Sequence, residues 1–231
     1  MPLSFQAPSE SDYITFLWSA FEINYNKQKY QFAYFAYHML AMGFIYFKIW
    51  QIRRERLDDF RKGVIGFSKD NENCFLHAAS PFEFSKVPEG SVFRLLKLLG
   101  CDNSKVGTYG ALVNDRNEMA HANGHIHVRT EEIFGYKIRN ILKIAEDIQS
   151  QVEPIIEVCY QNFLLRSLDP NEREYSDLTD QIREALIHSN YLSQKDIKIC
   201  FKFDIQRLKN HKKFREISTL HREILSIGFP E

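Results

Sequence analysis

Asn114, Asn117 and His121 stand at i, i+3 and i+7 in the stretch Val113-Asn114-Asp115-Arg116-Asn117-Glu118-Met119-Ala120-His121. On a helix these positions share one side, where the Asn117 amide can reach and orient the His121 imidazole. Arg116 belongs to the neighbouring stripe with Tyr109, Leu112, Val113 and Ala120, which is otherwise apolar. A guanidinium does not give up its proton, and burying one unpaired is costly, so Arg116 needs a partner or a cleft. Gly124, after Asn123, reads as the stop of this helix. An arginine, an orienting amide and a histidine near a helix end point to phosphate binding combined with proton transfer. The plainer reading pairs Arg116 with Asp115, Glu118 or a neighbouring helix and leaves His121 as a solvated side chain.

Arg116-Asn117-Glu118-Met119-Ala120-His121 resembles the R-x(4–6)-H motif of HEPN domains, many of which are metal-independent RNases. Asn117 is the polar residue that the family favours after the arginine, and the motif follows two long helical patterns, as in the family. Two further matches, Arg183 to His188 and Arg215 to His221, both carry Glu after the arginine. The resemblance covers residues 10–165 and implies a catalytic set of Arg116, His121 and Asn117. Arg116 and His121 are five apart, about 140° around an ideal helix, so one helix does not focus both on one atom. The family solves this by pairing two such helices across a two-fold axis, which implies a homodimer with a shared cleft. There a neutral imidazole accepts the proton of an RNA 2′-hydroxyl, and a protonated one supports the leaving 5′-oxygen. Arginine stabilises the charge on the scissile phosphate. No metal or other cofactor is implied, and the product is a 2′,3′-cyclic phosphate. The setting implied is a toxin, an anti-phage system or RNA processing, with an antitoxin or defence-system partner protein. Some HEPN toxins carry a modified tyrosine two residues after the histidine; Asn123 stands there in this chain, so that control does not carry over.

Two rival chemistries arise from the same residues. His121, His125 and His127 suggest a zinc site, but Gly124 interrupts the helix between them and no fourth ligand is near. Without catalysis, the same fold is a nucleotide- or protein-binding dimerisation module using Arg116. His125 and His127 are otherwise RNA-contacting residues of a polar loop.

The elements that must position this site read as helices throughout. Residues 1–8 form an unstructured lead; a first helix runs from Ser9 or Ser11 to Gln28 and a second from Tyr30 to Lys62. Gln31 to Phe47 contains no Asp, Glu, Lys or Arg, near the lower length of a membrane span, but Gln31, His38 and its tyrosines favour a buried core or interface helix. The charge-alternating run from Arg53 to Lys62 reads as a solvated face. From Ser68 to Gly90 apolar periodicity fails, which predicts a long mobile loop. Ser91 to Leu99 is a short helix, 105–122 the motif helix, and 130–168 a long helix capped by Thr130 and kinked or broken at Pro154.

The fold expected is therefore all-α: a HEPN-like antiparallel helical bundle over 1–168 with a C-terminal helical extension over 169–231. That extension is basic between 195 and 215, where Lys198, Lys202, Lys209, Lys212 and Lys213 are candidate RNA-binding residues. The interleaved Phe201, Phe203 and Phe214 read as core rather than base-stacking residues. With equal counts of basic and acidic residues (30 and 30), the chain is not one that coats nucleic acid over its whole surface. Its four cysteines have no paired spacing and no secretory pattern precedes them, so free thiols, a cytoplasmic location and no membrane association are expected.

Overall fold

Two antiparallel helices, α1 (Pro8–Asn26) and α2 (Tyr30–Glu55), form the hairpin on which the site is built. The chain turns between them through Gln28, whose φ is 57°. This is seen in a computed structural model that describes residues 1–121 and 124–227. Aromatic rings lock the hairpin: Phe21 meets Tyr37 at 5.2 Å, and Tyr25, Tyr30 and Phe134 lie within 6.0 Å of one another between centroids. Among the described residues α2 is the one helix long and apolar enough to cross a membrane, yet 67% of its apolar window is buried inside the protein. Its tyrosines and His38 are covered by neighbouring helices, as the core-helix reading requires.

The rest of the larger compact unit, residues 7–152, follows in sequence as α3 (Leu57–Val64), α4 (Lys69–His77), a 3-10 turn (Pro81–Lys86) and α5 (Glu89–Arg94). A second 3-10 turn (Leu95–Leu99) then leads to α6 (Asn103–Ala120). The expected second helix is thus broken at Arg56, whose backbone leaves the helical region (φ −129°, ψ 52°). The run from Arg53 to Lys62 is only partly a solvated face. Arg53 stacks on Trp50 and donates to the carbonyls of Phe75 and Ala78, and Arg56 donates to Leu98 O. Asp58, Asp59, Arg61 and Lys62 form exposed pairs one turn apart.

Residues 68–90 are not the mobile loop that their composition suggests. Ser68 caps α4 by accepting from Asn71 N, and Ser80 caps the first 3-10 turn by accepting from Phe82 N. Phe75 is fully buried between Phe60, Phe67 and Phe84 at centroid distances of 6.3, 5.4 and 5.5 Å. Helices of one or two turns are too short to repeat an apolar period; a few aromatic anchors hold them instead. Phe75→Ala is expected to cost about 3–5 kcal/mol, measured by denaturant unfolding, and amide exchange across Lys69–His77 should be slow in the parent chain.

Helix α7 (Glu131–Arg166) contains Pro154 without interruption, and the division between compact units falls at 152/153 within it, rather than at 168/169. The smaller unit comprises residues 1–6 and 153–231. Its further helices are α8 (Leu178–Asp180) running into a π-helical segment (Gln181–His188), α9 (Gln194–Phe201), a 3-10 turn (Ile205–Leu208) and α10 (Phe214–Ser226). The lead is not wholly unstructured: Leu3 N donates to Leu192 O and Pro2 bridges Ser193. That bridge is the one trace of β pairing among the described residues, and the fold is all-α, 76% helical.

Candidate functional site

Asp102 opens α6 by accepting from Lys105 N at 2.8 Å, which fixes the register of everything downstream. Tyr109, Leu112 and Met119 are the buried residues of this helix. The apolar stripe therefore continues to Met119, and Ala120, expected in it, is exposed.

Arg116 finds its partner within the chain. Its Nη2 lies 2.9 Å from Oε2 of Glu89, in the first turn of α5, and the Arg116 side chain is 31% exposed. The same Glu89 oxygen accepts from Nε2 of His38 at 3.1 Å; the His38 side chain is 2% exposed. One carboxylate oxygen thus ties together α2, α5 and α6. Burial would push the Glu89 carboxyl up, but the hydrogen bond and charge of His38, then those of Arg116, more than offset it and hold it below its ordinary value. Beside this cluster Asp115 pairs with Lys137 at 2.9 Å, and the ring of Tyr34 lies 6.3 Å from that of His38. Burial, followed by the nearby Asp115 and Glu89 carboxylates, raises the Tyr34 hydroxyl well above its ordinary pKa.

His121 ends up elsewhere. The helix stops at Ala120, and His121 is its C-cap with an extended backbone (φ −78°, ψ 141°). The expected stop at Gly124 comes too late, although Gly124 does adopt φ 78°. Among the described residues no hydrogen bond joins the Asn117 amide to the His121 imidazole. What Asn117 supplies is its carbonyl oxygen, which accepts from His121 N at 3.2 Å. The imidazole is exposed, and among the described residues it has no bonded partner. Asn123 lies outside the described residues.

Gln31 holds this end of α6 in place. Its Nε2 donates to Met119 O at 3.3 Å and its Oε1 accepts from His127 N at 2.9 Å. His125 and His127 rings stand 6.3 Å apart on the following segment. Among the described residues no three His, Cys, Asp or Glu side chains gather at metal-binding distance. Gln31→Ala should release residues 124–129, seen as faster amide exchange at His127 with the core of α2 unchanged.

The five candidate lysines belong to the smaller unit. Lys198, Lys202, Lys209 and Lys212 are exposed. Lys213 is half-buried and donates to Leu168 O at 2.7 Å, closing the end of α7, so its first role is structural. Phe203 is buried as a core residue should be, whereas Phe201 and Phe214 are only half-buried. The other two sequence matches are tied up locally. His188 contacts Glu184 at 2.6 Å, and His221 is buried with its Nδ1 2.7 Å from the Tyr160 hydroxyl, burial pushing its pKa down.

His38 and Glu89 are the site residues that the sequence reading missed. A histidine inside an uncharged aromatic helix was the available signal, since buried imidazoles require a polar partner. Glu89 had no such signal, standing after Pro88 in a segment with no apolar period. The cavities of about 490 and 570 Å³ that open on the larger unit are lined by neither Arg116 nor His121. Compared with known proteins, the chain matches no family model, no curated protein and no solved structure.

Proposed function

We propose that this protein is a HEPN-like endoribonuclease that cleaves RNA without metal at a site shared by two copies of the chain, as a cytoplasmic toxin, defence or RNA-processing factor. The observation that carries this reading is the end of α6: His121 is exposed and unengaged, one turn beyond an arginine held in a fixed orientation. An exposed histidine without a bonded partner is able to act as the general base on a 2′-hydroxyl. Arg116 makes one contact to Glu89 and keeps further N–H donors for a phosphate. Lys198, Lys202, Lys209 and Lys212 supply sequence-independent attraction for the strand.

Neither the aromatic helix nor the Arg116 stripe requires a second copy, because both are satisfied within one chain. The need for one rests on the divergence of Arg116 and His121 around α6, and on the α1–α2 hairpin, where Phe16, Ile23 and Phe32 are 67%, 55% and 62% exposed. An antitoxin or defence-system protein is the alternative occupant of that face.

A second reading is favoured by Glu89, which neutralises Arg116 before any phosphate arrives: a non-catalytic module that binds a nucleotide or a protein. Incubating labelled RNA with the protein in EDTA separates the two. Fragments ending in 2′,3′-cyclic phosphate support the nuclease; retained intact RNA establishes the binding module; no interaction with RNA removes both RNA-directed readings.

A further inference from the structure

Helices α6 and α7 run antiparallel with a register set by two ion pairs, Lys105–Asp147 at 2.8 Å and Asp115–Lys137 at 2.9 Å. The pairs are ten residues apart on each helix, about 15 Å along the axis. Between them α6 presents the small Thr108 and Ala111, which cannot fill the interhelical space. A groove of about 570 Å³ results, with Leu112 and Ile144 among its apolar walls. That is within the size of small-ligand sites.

Most of its polar groups are already engaged. Asp147 accepts from Lys105 and from the Tyr109 hydroxyl, Asp115 is paired with Lys137, and the Thr108 hydroxyl donates to Ser104 O. Two lining groups remain: the Asn140 amide and the Lys143 ammonium, neither of which has a partner among the described residues. They are three apart on α7 and so lie side by side. The ion pairs at the two ends sum to zero charge, which leaves Lys143 to make the groove attractive to an anion. An apolar trough flanked by an amide and an ammonium fits a planar ring with a donor–acceptor edge joined to an anionic group.

We propose that this groove binds an adenine mononucleotide. The Asn140 amide offers the paired donor and acceptor that match N7 and N6 of adenine, Leu112 and Ile144 cover the ring, and Lys143 takes the phosphate. The site is independent of the nuclease reading, since neither Arg116 nor His121 lines it.

Calorimetric titration of the full chain with AMP, GMP, adenosine and inorganic phosphate tests the assignment. One-to-one binding of AMP is expected, about tenfold tighter than adenosine and tighter than GMP. Lys143→Gln should remove the advantage of AMP over adenosine, Asn140→Ala should weaken both, and Ala111→Phe should fill the groove and abolish binding. Lys143 is exposed, so Lys143→Gln preserves the fold and decides the matter even where Ala111→Phe perturbs it. His121→Ala should bind AMP like the parent chain, keeping this outcome separate from that of RNA cleavage. No saturable AMP binding at about 1 mM, equal binding of GMP, or AMP affinity unchanged by Lys143→Gln overturns the proposal.

Discussion

RNA incubated with His121→Ala in EDTA stays intact, with cleavage lowered about 10²–10⁴-fold, while helix content and thermal midpoint remain those of the parent chain. The stability half of this expectation follows from placement: His121 is exposed, lies beyond the last helical residue of α6 and holds nothing in place. The activity half follows from chemistry, because histidine is the side chain most often used to transfer a proton in catalysis. His188→Ala and Arg183→Ala provide the control. Arg183 is exposed and His188 is tied to Glu184, so loss of either should leave cleavage near the parent rate. Gel electrophoresis with end-group analysis reads both results, and undiminished cleavage by His121→Ala would remove the histidine from the mechanism.

Glu89→Gln is expected to lower stability by about 1–3 kcal/mol and to lower kcat with little change in KM. The carboxylate oxygen that receives both His38 and Arg116 is the joint of α2, α5 and α6, and an amide oxygen can occupy its place without its charge. The loss falls short of that for a fully buried ion pair, because Arg116 is about a third exposed and water screens it. Acid should act in the same direction. Glu89 titrates below its ordinary value in the folded chain. Its contribution is therefore complete above the usual carboxylate pKa, about 4.3, and disappears as pH falls through the lowered folded value. Denaturant midpoints measured from pH 7 downward should converge for the parent chain and Glu89→Gln in that acid range. Arg116→Ala should abolish cleavage and also destabilise, since it strips the half-buried Glu89 of one of its two partners. An unchanged midpoint in Glu89→Gln would show that the joint holds nothing together.

The sequence by itself determined the helical class, the long helices and the cap at Thr130, because these depend on local periodicity and on side chains that bond their own backbone. It also identified Arg116 as a residue in need of a partner. It did not identify the partner, since Glu89 lies 27 positions earlier in a segment whose short helices are held by Phe75 and Phe84 rather than by any repeating pattern. The end of α6 was misread for a related reason. The stop was expected at Gly124, yet α6 ends at Ala120, with Gln31 of another helix bonding Met119 O beside it. The groove beside Asn140 and Lys143 was likewise invisible, because it exists where two helices fail to fill the space between them. Only tertiary structure decides such things: which carboxylate an arginine meets, where a helix stops, and where a volume stays open all depend on contacts between residues far apart in the chain.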